Sequence, residues 1–299
     1  MKRVFAYMGA LAIVAIAGAL PAAQMPTSGA APDPAAAPTP RTADGKPDLT
    51  GTWTAGGGGG GGGGRDLLEI EEGKFVEEFP SRRCGPTQVK CGDYTNQSED
   101  GEFTARVNRN RPLYKPEYWD KVQQLDMWTN KFDPLFFCQP LGLPRAGAPA
   151  RILQTANDVV FLYAAGGGGA GNAEYRTIPI DGRTHDPVKA QDVLFWGHSV
   201  GRWEGDTLVI DSVGFNDLTW LDKGGLFSSE NKRVIERFTR KGNTLVYEVT
   251  VEDPDVLAEP WVMTPRTFRI NTSKDAGLFA EATPCRDYDH ANMVTQIRH

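Results

Sequence analysis

Downstream of residue 150, apolar and polar side chains alternate with a period of two, and the alternation predicts strands rather than helices. The segments Arg151–Gln154, Val159–Tyr163, Glu174–Ile180, Phe195–Trp203 and Thr207–Phe215 follow this pattern. So do Arg233–Arg240, Leu245–Glu252, Thr267–Asn271 and Leu278–Thr283. Turn formers separate most of them: Asn157-Asp158, Asp181-Gly182, Glu204-Gly205-Asp206 and Gly242-Asn243. Strong helical spacing occurs in Pro116–Trp128, where Pro116 suits a first turn and Tyr118, Val122, Leu125 and Trp128 share one side. Consecutive strands joined by short turns exclude a parallel βαβ layout, whose crossovers need far longer connections. The pattern predicts an all-β protein, an antiparallel meander closed into a barrel, with one helix and long loops before it. Closure disposes of the exposed strand edges.

Register follows for one hairpin. With Gly242-Asn243 as a two-residue turn, Lys241 faces Thr244, Arg237 faces Glu248 and Arg233 faces Glu252. The opposite face then pairs Phe238 with Tyr247, Glu236 with Val249 and Val234 with Val251. One face is salt-bridged and the other apolar, as a barrel wall requires. Glu236 is the exception, a carboxylate on the apolar face.

The amino terminus bears on where such a barrel works. Lys2 and Arg3 precede an apolar run from Val4 to Leu20 and the small-residue stretch Pro21-Ala22-Ala23. This is the order of a secretory signal peptide, here residues 1–23, with cleavage expected near Ala22 or Ala23. Residues 24–48 are rich in Pro, Ala, Gly and Thr and are expected to be a linker, leaving residues 49–299 as a single barrel domain. The expected location is the periplasm or the outside of the cell, with no transmembrane span left after cleavage. A net charge of −6 without a basic stripe argues against nucleic acid as a partner. Four cysteines in an oxidising compartment point to disulfides. Of the three possible pairings, Cys84 with Cys91 and Cys138 with Cys285 is preferred. Zinc is disfavoured because C-x-x-C spacing is absent.

Two glycine runs, Gly56–Gly64 and Gly166–Gly169, lack the Lys-Ser/Thr of a phosphate cradle and read as loops. Candidate chemistry is densest in Phe195–Asp222. If Glu204-Gly205 are the turn residues there, His198 falls opposite Asp211 on one face. An imidazole oriented by a carboxylate inside a barrel can move protons near neutral pH. Glu236, desolvated on its apolar face, is the third member of this candidate constellation. The plainer alternative is a structural His198–Asp211 pair, with Glu236 neutralised by Arg202 or Arg240. Gly197-His198-Ser199-Val200-Gly201 matches the serine-hydrolase motif G-x-S-x-G, but a hairpin turn rather than a helix follows it, so the elbow context fails. None of the four histidines is paired at metal-ligand spacing, and neither a metal nor a cofactor is expected. Trp196, Trp203, Trp220 and Trp261 fall near turns or strand ends beside polar residues, a composition suited to stacking on sugars or aromatic rings. The candidate ligand contacts are Trp196, Arg202, Asn216 and Asp217, together with Trp220, Tyr247 and Trp261.

Several of these residues also carry a resemblance. Arg41-Thr42-Ala43-Asp44-Gly45-Lys46-Pro47-Asp48-Leu49-Thr50-Gly51-Thr52-Trp53 is similar to the mature amino terminus of a large family of uncharacterised exported bacterial proteins. The similarity continues through Cys138-Gln139-Pro140-Leu141-Gly142-Leu143-Pro144-Arg145 and is densest over Trp196–Asp222. It ends with Glu236-Arg237-Phe238, Val251-Glu252-Asp253-Pro254 and Pro260-Trp261. The resemblance implies a lipocalin-type barrel and an exported location, not a reaction. The chain departs from the family pattern in both polyglycine loops and at Phe227-Ser228-Ser229-Glu230, where Pro-His-Ser-Glu is expected; the missing His weakens any mechanism needing an imidazole beside Glu230. Two functional readings follow. One is a barrel binding a small apolar, aromatic or sugar-like molecule in its interior. The other is a cofactor-independent lyase, isomerase or hydrolase using His198, Asp211 and Glu236.

Overall fold

A computed structural model describes residues 37–55, 68–71, 74–76, 111–163, 174–263 and 265–276. The signal peptide, both glycine runs, strand Leu278–Thr283 and Cys84, Cys91 and Cys285 lie outside the described residues. Cys138 is disulfide-bonded.

In chain order the elements are β1 Gly51–Ala55, β2 Leu68–Glu71, β3 Lys74–Val76, α1 Trp119–Met127 and α2 Thr129–Phe132. Then come β4 Arg151–Gln154, β5 Asp158–Tyr163, β6 Glu174–Pro179, β7 His198–Glu204 and β8 Thr207–Val213. They are followed by β9 Trp220–Asp222, β10 Leu226–Phe227, β11 Arg233–Lys241, β12 Thr244–Glu252, β13 Trp261–Val262 and β14 Arg266–Ile270. The expected helix Pro116–Trp128 divides into a 3-10 turn, Pro116–Tyr118, and α1.

Nine strands form a mostly closed antiparallel, lipocalin-like barrel in the order β6-β5-β4-β1-β14-β12-β11-β8-β7. The β11–β12 hairpin has the predicted register, from Lys241 opposite Thr244 to Arg233 opposite Glu252. Burial alternates along both strands as the two faces require. The order is not a simple meander: β1 pairs with both β4 and β14, joining β4–β6 to the later strands. The remaining seam lies between β6 and β7, strands consecutive in sequence that share no backbone ladder. They nevertheless pack. Gly201 of β7 is so near the chain after β6 that a Cβ there would lie 2.7 Å from Ile180 Cγ2.

The inward face is led by Ile152, Phe161, Ile178, Leu208, Ile210 and Phe238, all fully buried. Phe161 and Phe238 meet edge-to-face with ring centroids 5.0 Å apart, a geometry that aromatic quadrupoles favour. The last part of the expected linker is held against the turns at one end. Arg41 pairs with Asp206, 2.6 Å, Thr39 Oγ1 accepts from Gly242 N, and Arg240 donates to Asp48 O.

Helix α1 lies outside the strand order and packs on β10. Tyr114, just before it, stacks edge-on with Trp119 at 5.4 Å and donates its hydroxyl proton to Phe227 O. The turn between β9 and β10 touches the helix backbone directly. Gly225 has φ +75°, and a Cβ there would sit 2.2 Å from Val122 O. Only glycine combines that dihedral with that approach.

Candidate functional site

The Phe195–Asp222 segment does form a hairpin, but its register differs from the expected one. Glu204 faces Thr207, so Gly205-Asp206 is the turn, and Gly205 takes φ +61°. His198 therefore faces Val213, and Asp211 faces Val200. A shift of two residues keeps His198 and Asp211 on one face, because strand side chains alternate with period two. That face is the outer one. Ser199 and Ser212, the pair beside them, point inward with Ile210, which lies opposite Glu236. The expected constellation of His198, Asp211 and Glu236 does not converge: Glu236 is inside the wall and the other two are outside it.

Outside, the loop before β7 folds back over the hairpin. His185 Nδ1 and His198 Nδ1 are 2.8 Å apart, a contact that holds one proton at a time. His185 Nε2, buried without a hydrogen-bond partner, lies 3.7 Å from Asp211 Oδ2. Asp211 is engaged instead by Arg233, whose Nε and Nη2 each donate at 2.8 Å. Burial lowers the His198 pKa, and the facing His185 lowers it further. Burial raises that of Asp211, but Arg233 outweighs it and holds the carboxyl below its usual range. This is a hydrogen-bonded structural arrangement, but not the His198–Asp211 pair of the plainer sequence reading: His198 meets His185, and Asp211 is held by Arg233.

Inside, Glu236 is fully buried and paired with Arg176 of β6 at 2.7 Å. Its partner is thus neither Arg202, which bonds Glu204 at the surface, nor Arg240, which donates to backbone oxygens. Tyr247 donates to Glu236 Oε1 at 3.0 Å. Arg176 donates to the Tyr163 hydroxyl, Ser199 Oγ and Ser212 Oγ at 3.0, 2.9 and 3.2 Å. Burial pulls the guanidinium pKa down, but Glu236 outweighs it and the charge is retained. Burial also pushes both tyrosines well above the usual phenol value. Ser199 is therefore a ligand of Arg176 inside the wall, with no imidazole beside it.

The candidate ligand contacts scatter. Tyr247 belongs to the interior network, and Trp261 is buried in the core. Trp196 packs on Tyr163 at 4.7 Å and donates to Glu174. Arg202 is on the outer surface, and Asn216 shapes its own turn by accepting from Leu218 N. Asp217 and Trp220, however, come together at a cleft of about 530 Å³ between α1 and the loops after β8, β10 and β12. Tyr118, Leu125, Trp220, Phe227 and Val256 supply its apolar walls. Lys121, Asp217, Glu230, Asn231 and Asp255 supply charge and hydrogen bonds, with Lys121 Nζ 3.8 Å above the Phe227 ring.

Ser228 and Ser229 form the far side of the cleft. Ser229 is fixed by Asp253, which accepts from its N at 2.8 Å and its Oγ at 2.6 Å. Beneath Ser228 lies Lys232, only 1% exposed. Its Nζ is 3.0 Å from each of Leu143 O, Thr219 Oγ1 and Ser228 Oγ. Burial drives the Lys232 pKa down to about 7, against a smaller upward pull from Asp253. Sequence reasoning passed over Lys232 and met Ser228 only as the residue standing where the resemblance leads one to expect His. A signal was present: Lys232 continues the parity of Val234, Glu236 and Phe238, the inward face of β11. Among the described residues no group of three or more His, Cys, Asp or Glu side chains is placed to hold a metal ion. Searches with protein-family models, curated proteins and solved structures returned no match to this chain.

Proposed function

We propose that the protein binds a small aromatic or sugar-like molecule, and that it does so in the cleft under α1 rather than along the barrel axis. The observation that carries this reading is the cleft itself. Aromatic walls from Tyr118, Trp220 and Phe227 stand beside hydrogen-bonding side chains in a volume of about 530 Å³, within the range of small-molecule sites. At the level of Glu236 the barrel interior is occupied by Phe161, Phe238, Tyr247 and the Arg176–Glu236 pair. Three carboxylates, Asp217, Glu230 and Asp255, against one Lys121 favour a neutral or cationic ligand. Their oxygens suit hydroxyl donors, and the rings suit stacking.

The test is a thermal-stability and calorimetric screen with phenyl β-glucoside and related neutral compounds. A ligand at 100 times its dissociation constant adds about 2.7 kcal/mol. Binding is expected to weaken at least about tenfold in Tyr118→Ala and Asp217→Asn. Binding that survives both changes places the site elsewhere and overturns the reading.

The exported location is part of the same proposal. It is supported by the charged, apolar and small-residue order of residues 1–23 and by the resemblance to exported proteins. No helix among the described residues is long and apolar enough to cross a membrane. Amino-terminal sequencing of the protein from a periplasmic or culture fraction is expected to begin after Ala22 or Ala23. An intact Met1 in that fraction would count against cleavage.

A further inference from the structure

Lys232 sits in an unusual position for a lysine. It is 1% exposed, and no carboxylate of the described residues pairs with it directly; the closest acceptors are a carbonyl and two hydroxyls. Neutral acceptors hold an ammonium less firmly than a carboxylate does, and the ring of Phe215, 4.5 Å away, adds only a cation–π contact. Of its three partners, Ser228 lines the cleft. Ser228, itself 3% exposed, is thus the residue that borders the cleft on one side and holds the amine on the other.

We propose that Ser228 and Lys232 are a nucleophile and general base, and that the cleft hydrolyses small neutral aryl esters. The inference rests on the cleft being the ligand site. A buried amine 3.0 Å from a serine oxygen is the Ser–Lys variant of the nucleophile–base arrangement. Ser228 Oγ now donates to Thr219 O at 2.9 Å. With Lys232 neutral, the amine lone pair can accept that proton instead. Because its pKa is brought to about 7 by burial, a sizeable neutral fraction exists at neutral pH.

The reaction balances without a further reagent. Ser228 Oγ attacks the ester carbonyl carbon, its proton passes to Lys232 Nζ, and the carbonyl π pair moves onto oxygen. The intermediate collapses, the bond to the phenolic oxygen breaks, and Lys232 returns the proton to the leaving phenol. Water then attacks the acyl-serine, gives one proton to Lys232, and releases the carboxylic acid as Ser228 recovers its proton. Nothing is oxidised or reduced. The aromatic walls take the phenol portion. The carboxylates Asp217, Glu230 and Asp255 disfavour retention of the anionic product.

The full-length protein is treated with a fluorophosphonate probe and, separately, with para-nitrophenyl acetate. Adducts are mapped by mass spectrometry, and phenyl β-glucoside binding is measured in parallel. The expected result is an adduct on Ser228, with labelling and turnover rising as pH increases through about 7. Both fall at least about 100-fold in Ser228→Ala and Lys232→Met. Ser199→Ala, inside the barrel wall, keeps both, and Ser228→Ala still binds phenyl β-glucoside. An unlabelled Ser228 in a protein that binds phenyl β-glucoside overturns the dyad and leaves the cleft reading standing. Absence of binding as well overturns both. Should Lys232→Met not fold by near-ultraviolet circular dichroism, the wild-type profile decides: Ser228 labelling that is flat from pH 5.5 to 8.5, about 1.5 pH units either side of neutrality, overturns the base.

Discussion

Replacing Glu236 with Gln keeps its size and removes its charge. Arg176 cannot respond by losing its proton, since arginine stays charged in proteins, so the change leaves a cation at 5% exposure with only hydroxyl acceptors around it. Breaking a buried ion pair in this one-sided way costs about 3–5 kcal/mol. The Tyr247 hydroxyl keeps an acceptor in the amide, so little is added for it. For a domain of this size each kcal/mol lowers the melting temperature by about 2–4 °C, which puts the variant about 10 °C below the parent. Urea unfolding followed by circular dichroism measures the loss. The double variant Arg176→Met, Glu236→Gln removes the stranded charge and is expected to recover more than half of it. A cost below about 1 kcal/mol for Glu236→Gln, or strict additivity in the double variant, would refute the reasoning.

Three further outcomes can be checked. Gly225→Ala places a methyl against Val122 O at a left-handed φ; a loss of about 2 kcal/mol or more is expected in thermal unfolding, with weakened phenyl β-glucoside binding as α1 shifts. Because the folded pKa of His198 lies below the ordinary 6.5, the unfolded chain takes up the proton first. Stability is fully present above about 6.5 and falls as pH drops toward the depressed folded value, and His198→Gln should flatten this part of the urea-midpoint profile. For Lys232 the folded value of about 7 lies below 10.5, so the cost of burying its charge is complete below pH 7 and relieved as pH rises to 10.5. The gap corresponds to about 5 kcal/mol. The parent should therefore gain stability relative to Lys232→Met across that window, and parallel profiles would contradict the burial argument.

The β11–β12 hairpin was legible to the residue because two independent signals agreed. A glycine-asparagine turn set the register, and paired Arg–Glu positions on one face confirmed it. The β7–β8 hairpin misled because its parity is inverted relative to hydrophobicity. Val209 and Val213 are on the outer face with His198 and Asp211, while Ser199 and Ser212 point inward. Each inversion has its own cause. Arg176 and Glu236 make part of the interior polar and require serine hydroxyls as partners, and the 181–197 loop covers the outer face there. Neither condition can be read from the hairpin alone. The cleft was half visible, through Asp217 and Trp220, since rings beside carboxylates suggested a ligand surface. The depth of Lys232 was not, because a lysine after Glu230-Asn231 reads as a surface turn until the β11 face is extended back by one step.

The pairing of β1 with β14 places Trp53 opposite Ile270, so the first strand of the barrel pairs with the last strand of the described residues. A chain emerging from its amino terminus holds β1 long before either β4 or β14 exists to receive it. The β4–β6 and β7–β12 hairpins can form locally from short-range contacts, whereas closure awaits the far end of the polypeptide. Such long-range pairing slows folding because a large loop must close before its contacts form. If the chain is exported as proposed, closure that waits for β14 keeps the barrel open while the polypeptide is passed across a membrane.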